Sequence, residues 1–215
     1  TGCHSFYATK NLTTGEGGMI TTNSKKLSAR LNIMRLHGIS KDAWKRYLPE
    51  NTKGKGKFEH YDVKEIGHKY NMTDLSAAMG LVQLKKLEKN WKLRKKIYEY
   101  YSKKLKHLPV LLQKIDGYQV KHAYHLFTLV IDNKKTKKTR DKLITFLKKE
   151  KITTGVNYRS VTDMTLYKKI LGWNEKTCKN SNYVGRNTIS LPIYPTLKKN
   201  EMKYICKKVC KFFEK

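Results

Sequence analysis

Apolar and polar positions divide this chain into short strands and amphipathic helices in alternation. Residues 3–8 and 18–22 read as short strands, the second around Met19 and Ile20, with a loop of hydroxyl residues, glycines and Lys10 between them. Asn23 or Ser24 then caps a helix carrying Leu27, Leu31, Met34 and Arg35 at helical spacing, and Gly38 ends it. A long connection follows over residues 39–67, rich in Lys, Gly and the aromatics Trp44, Tyr47, Phe58 and Tyr61, with a Lys-Gly-Lys-Gly-Lys tip at 53–57. Connections of that length are either functional or surface excursions.

Thr73 caps the next helix, with Asp74 placed favourably at its positive end. Ser76, Ala77, Ala78 and Gly80 give its first turns a thin face suited to close packing, and Leu84, Leu87 and Trp91 carry it on to about Tyr101. The remainder predicts strands at 124–131, 152–156 and 188–191. Helices are expected at 140–150 (Leu143, Phe146 and Leu147 on one face), 165–171, 175–187 and from about Lys199 to the end. The alternation indicates an α/β fold.

The last helix also settles how its cysteines read. Met202, Ile205, Cys206, Val209, Cys210 and Phe213 fall at i, i+3, i+4, i+7, i+8 and i+11, one apolar stripe in which cysteine acts as a small hydrophobe. With no Cys-x-x-Cys pair and no clustered histidines, a metal site is not expected.

Composition adds a strong charge. Against 17 acidic residues stand 47 basic ones, a net +30, of which only seven are Arg. Base and phosphate readers favour the bidentate Arg fork, whereas Lys scattered over helix faces and loops mostly solvates a surface. The balance speaks against nucleic acid as the main partner and leaves attraction of an anionic small substrate as its milder use. No run of about 18 apolar residues occurs and no signal peptide precedes the first motif, so a soluble, cytoplasmic protein without a membrane partner is expected. The chain opens at Thr1 in the middle of a motif and reads as a piece of something longer.

Lys10 is the candidate for chemistry. Ser5, Thr9, Thr13 and Thr14 supply hydroxyls for an oxyanion, and Gly15, Gly17 and Gly18 allow sharp turns or close approach to a ligand. In such a pocket burial disfavours an ammonium, and the free amine is a nucleophile towards aldehydes. A lysine in a Ser/Thr/Gly loop is more often a solvated turn residue. His37, His68 and His125 are further candidate bases, each read first as a hydrogen-bonded structural or surface histidine.

The wording at 5–18, Ser-Phe-Tyr-Ala-Thr-Lys-Asn-Leu-Thr-Thr-Gly-Glu-Gly-Gly, closely resembles the cofactor-lysine segment of the DegT/DnrJ/EryC1/StrS sugar aminotransferases. Gly67-His-Lys-Tyr-Asn-Met-Thr-Asp74 is similar to that family's Gly-x-Asn-x-Arg-Met stretch, with Lys69 in place of Asn and Asn71 in place of Arg. Residues 155–162 and 191–195 resemble its Gly-Val-His-Tyr-x-Pro-Leu-His and Leu-Pro-x-Tyr-Pro segments, with Asn157 and Thr162 where the histidines stand. These last departures bear on sugar specificity.

The resemblance implies the fold type I architecture of aspartate aminotransferase. Residues 1–105 would be the end of the large domain with its connecting helix, and 106–215 the small C-terminal α/β domain. It implies pyridoxal 5′-phosphate as cofactor, carried by Lys10, with Ser5 on its phosphate. Lys69 and Asn71 would reach the phosphate of the neighbouring subunit in a homodimer with shared sites. The substrates it implies are a nucleotide-linked keto sugar and glutamate as amino donor. The family's segments for the phosphate loop, ring stacking and the pyridinium partner are absent from this chain. Two other readings stay open, a piece that only folds or dimerises and a basic nucleic-acid binder.

Overall fold

A computed structural model describes residues 1–39, 61–114 and 119–214. Most of the predicted 39–67 connection, including Trp44, Tyr47, Phe58 and the 53–57 tip, lies outside the described residues. The chain forms two compact units, 1–86 and 87–215, with the boundary inside one long helix.

In the first unit, strands β1 (Gly2–Ser5) and β2 (Gly18–Thr21) pair antiparallel, Gly2 opposite Thr21 and Ser5 opposite Gly18. Helix α1 (Lys25–Met34) is capped by Ser24, whose hydroxyl accepts from the Leu27 N–H at 3.2 Å. Gly38, at φ +71°, bends the chain after it, and the 36–39 segment meets the returning chain through the bridges Leu36↔Lys69 and Ile39↔Val63. Helix α2 (Asp74–Leu105) then starts as expected, the Ser76 N–H donating to the Thr73 hydroxyl.

The second unit is built on an antiparallel sheet of order β3-β4-β5: Val110–Leu112, Phe127–Ile131 and Thr188–Leu191. Alternation along β4 puts Phe127, Leu129 and Ile131 on the buried side, where they meet Tyr101 and Leu105 from α2. Helices α3 (Arg140–Lys149), α4 (Thr165–Leu171), α5 (Lys179–Asn187) and α6 (Lys199–Glu214) complete it. Leu143 and Leu147 of α3 and Ile205, Cys206 and Val209 of α6 join the same core, each buried aliphatic side chain contributing about 1.5–3 kcal/mol. The Cys206 thiol is pushed up to about 12 by burial, as suits a packing residue.

Two polar devices fix this unit. Arg94 of α2 is buried and donates to three carbonyls, those of Tyr124, His125 and Ile193, at 3.4, 3.1 and 3.0 Å. Nearby, the Tyr101 hydroxyl donates to the Pro192 carbonyl at 3.0 Å. Elsewhere Asp163, just before α4, accepts from Lys168 at 2.8 Å and from Arg186 of α5 at 3.1 Å.

Several expectations change: the strand expected over 3–8 ends at Ser5, and the helix expected over 175–187 begins at Lys179. The predicted strand at 152–156 reduces to one bridge, because only Gly155 exchanges hydrogen bonds with Ser190, at 3.1 and 2.8 Å. The strand expected from Tyr124 begins at Phe127, since Tyr124 takes a left-handed φ of +47°. β3 was not anticipated.

Asp163 makes the second unit sensitive to acid. Its hydrogen bonds to Lys168 and then to Arg186 hold its carboxyl at about 2, below the ordinary carboxylate range. A depressed folded-state value gives stability that is present above about pH 4 and lost as pH falls through about 2. Asp163→Asn should therefore lower the melting temperature at pH 7 and flatten its dependence on pH between 4 and 2, the variant and the wild type converging at the acid end. An unchanged acid limb in the variant would remove Asp163 from that role.

Candidate active site

The hairpin between β1 and β2 is pinched at its neck. The Phe6 N–H donates to the Gly17 carbonyl at 2.8 Å, the Thr14 N–H to the Phe6 carbonyl at 2.9 Å, and the Thr13 hydroxyl to the same carbonyl at 3.2 Å. Thr14 is buried and donates its hydroxyl to the Glu16 carbonyl at 2.6 Å. Gly17 has no room for a side chain: a Cβ there would lie 2.7 Å from the Thr14 hydroxyl and 3.1 Å from the Met72 methyl, at φ +142°.

Residues 7–13 are thus a loop closed at its base, and Lys10 sits in its turn, half-buried, with its N–H on the Tyr7 carbonyl at 2.9 Å. The Tyr7 N–H points back to the Ser5 hydroxyl at 3.4 Å. Tyr7 therefore links the two residues that sequence reading singled out, Ser5 and Lys10, through its backbone.

The second predicted segment lies in the same unit. The Lys69 ammonium donates to the Asn71 carboxamide, so these two candidates are brought together. Met72, next in sequence, packs at the neck of the hairpin near Gly17, and Gly80 in the first turns of α2 faces the Thr14 methyl, where a Cβ would come within 3.1 Å. The thin helix face is used here, close against the lysine hairpin. Among the described residues neither Lys10 nor Lys69 forms an ion pair with a carboxylate.

The backbone beneath Lys69 is held on both sides. His68 donates its N–H to the Met34 carbonyl at 2.7 Å and accepts from the His37 N–H at 3.0 Å, while the Tyr70 N–H reaches the Arg35 carbonyl at 2.9 Å. At this crossing Gly67 and Gly38 touch backbone to backbone: a Cβ on Gly67 would lie 2.0 Å from the Gly38 nitrogen. Sequence reading missed the crossing and the stacked His68 and Tyr70 rings, 4.7 Å apart and 5° from parallel. The one signal was the alternation His-Lys-Tyr-Asn, which sends 68 and 70 to one side and 69 and 71 to the other. Of the candidate bases, His37 and His125 are engaged through their backbones, His125 by Arg94, and His68 is in the stack.

A lysine on a turn, tied through the Tyr7 backbone to a serine, with an ammonium and a carboxamide in the same unit, is a donor set suited to an aldehyde and a phosphate. It fits those two ends of pyridoxal phosphate. The fold is that of the fold type I pyridoxal-phosphate-dependent transferases. Residues 1–210 match the DegT/DnrJ/EryC1/StrS aminotransferase family, and the chain belongs to it.

Among relatives, the chain is 42% identical over 193 residues to an uncharacterized protein of Methanocaldococcus jannaschii, covering 90% of this chain and 48% of that one. It is 39% identical over 199 residues to the spore coat polysaccharide biosynthesis protein SpsC of Bacillus subtilis, covering 92% and 50%. Among solved structures it is similar to Spr1654 of Streptococcus pneumoniae, assigned as a sugar aminotransferase, in its PMP form. The TM-score is 0.82 and the identity 26%, over 99% of this chain and 52% of that one. The chain spans about half the length of the curated relatives it matches.

Proposed function

We propose that the full-length protein is a pyridoxal-phosphate-dependent aminotransferase that moves an amino group from glutamate to a nucleotide-linked keto sugar, in the making of amino sugars for surface polysaccharide. The observation that carries this reading is the pinched hairpin that holds Lys10 in its turn and ties it through the Tyr7 backbone to Ser5. Family membership supports it, as do the polysaccharide role in the name of SpsC and the sugar aminotransferase assignment and PMP form of Spr1654. We place the enzyme in the cytoplasm as a homodimer; among the described residues no helix is long and apolar enough to cross a membrane.

When bound, the cofactor supplies the electron sink that lets an amino group leave one carbon and join another. Lys10 would hold its aldehyde carbon, then serve as the free amine that takes a proton from the donor Cα and delivers it to the cofactor C4′ carbon. Lys10 would move the proton in the opposite direction when the keto sugar is aminated. Ser5 would donate its hydroxyl to the cofactor phosphate, and Lys69 and Asn71 would serve the phosphate in the neighbouring subunit.

Mixing full-length subunits tests both parts. Wild-type protein should aminate the keto sugar only when glutamate is present. Lys10→Ala and Lys69→Ala homodimers should each be impaired, whereas their mixture should recover activity, because one of the two sites in a mixed dimer keeps both residues. Failure of the wild type to use any amino donor would end the aminotransferase reading. Mixed dimers whose activity never exceeds the parents' average would return Lys69 to its own subunit or to the surface.

A further inference from the structure

Lysines that look scattered along the sequence are gathered by the fold of the second unit. On α3 the buried stripe of Leu143 and Leu147 turns Lys142, Lys148 and Lys149 to solvent, and on α6 the stripe of Ile205, Cys206 and Val209 does the same for Lys203, Lys207 and Lys211. The two helices are joined along their edges. The Phe146 and Phe212 ring centroids lie 5.6 Å apart, and Glu150 at the end of α3 takes the Lys208 ammonium of α6 at 2.6 Å and the Tyr204 hydroxyl at 3.1 Å. Their solvent faces therefore form one layer, and among the described residues none of those exposed lysines forms an ion pair with a carboxylate. Of the acids on this layer, Asp141 pairs with Arg140 at 2.5 Å, Glu150 with Lys208, and Glu201 accepts the Lys198 N–H at 2.7 Å, which leaves Glu214 at the far end of α6. We propose that this α3 and α6 face is a docking surface for an anionic lipid bilayer, held by charge and reversible. The inference goes beyond the proposed function and stands without it.

The choice of partner follows from the side chains. An exposed lysine is a compact, hydrated charge that responds to a diffuse field without having to meet any one anion, and a negative bilayer supplies such a field over a Debye length of about 8 Å at physiological salt. Clusters of about 4–8 basic residues on amphipathic helices are the composition that recognises anionic headgroups. A nucleic-acid reader would present Arg forks or stacking rings, whereas α3 and α6 hold one Arg, taken by Asp141. A protein interface would have an apolar centre, yet among the described residues of the two helices Tyr204, 43% exposed, is the one exposed large apolar side chain. That no described helix is long and apolar enough to cross a membrane has no bearing on surface contact, and the net +30 of the chain adds a long-range pull.

The test is co-sedimentation of the full-length protein with vesicles, one set of phosphatidylcholine alone and one containing roughly one-third phosphatidylglycerol. Binding to the anionic set should exceed binding to the neutral set by about tenfold or more and fall steeply as salt rises. Each lysine at the surface adds roughly fivefold, so Lys142→Gln, Lys207→Gln and Lys211→Gln combined should lower the affinity about a hundredfold. Lys169→Gln, Lys176→Gln and Lys179→Gln combined, which remove the same charge from α4, α5 and the turn between them, should lower it by less than about fivefold. In the wild type, amine-reactive labelling read by mass spectrometry should fall at Lys142, Lys207 and Lys211 when anionic vesicles are added and stay level at Lys169, Lys176 and Lys179, a result that needs no variant to fold. Any of four results overturns the proposal: equal binding to the two vesicle sets, equal losses for the two combined variants, labelling of the α3 and α6 lysines that does not respond to vesicles, or a single-stranded RNA that binds more tightly than the vesicles and protects the same lysines. Failure of the aminotransferase reading would show separately, as absence of glutamate-driven amination by the wild type, a measurement made without vesicles.

Discussion

Lys10→Ala in the full-length protein should leave a folded chain whose transamination falls by about 10²–10⁴-fold, the range lost with a positioned acid-base group. Folding should survive because the neck of the hairpin is closed by Phe6, Thr13, Thr14 and Gly17, all outside the substituted side chain. The assignment itself is checked covalently. Borohydride reduction of the cofactor-loaded wild type followed by peptide mapping should find the pyridoxyl group on Lys10, and finding it on another lysine would overturn the role given to this residue. A variant that has lost activity but also melts early would point to the hairpin as a structural element, so thermal melting accompanies the kinetics.

Gly67→Ala is expected to be strongly disruptive in the first unit. Its added carbon would sit 2.0 Å from the Gly38 nitrogen and 2.5 Å from the His37 carbonyl carbon, backbone atoms that cannot swing aside. Overpacking of this kind costs about 1–3 kcal/mol in ordinary cores, and a backbone-to-backbone clash belongs at or above the top of that range. Gly172→Ala is the matched control: its φ of +63° is unfavourable for alanine, but no atom lies within 4 Å of the new carbon, so about 1–2 kcal/mol is expected. Denaturant melts of the two variants should differ accordingly. Because the crossing carries Lys69 and Asn71, Gly67→Ala should also weaken cofactor retention, which Gly172→Ala should not. Equal effects of the two substitutions would mean that the crossing yields more easily than its geometry indicates.

Local chemistry made much of the fold readable. α4, β5 and the start of α6 fall where punctuation and apolar spacing put them, and the Ser24 and Thr73 caps are formed. What escaped was long-range. β3 is three residues whose strand character arises from pairing with β4, and Gly155 pairs with Ser190 without its neighbours following. The cage around Arg94 joins residues from three distant places in the chain, and no window of sequence contains it. At the candidate site, Lys10 stood out through the wording of its segment. Periodicity does not mark a turn lysine, and the rings at 68 and 70 become a surface only when 34–38 lies beneath them.

Arg94 has one more consequence, for the order in which the second unit comes apart. A guanidinium stays charged across the whole accessible pH range, and its partners here are carbonyls, which do not titrate. The tie between α2 and the residues flanking β4 and β5 is therefore indifferent to acid, whereas the Asp163 tie between the start of α4 and α5 is not. Acid would loosen the α4 and α5 periphery, and the Glu150 tie to Lys208 and Tyr204 of α6, while the Arg94 tie between α2 and the sheet stayed closed. The second unit thus has an inner lock without a pH key and an outer one with it.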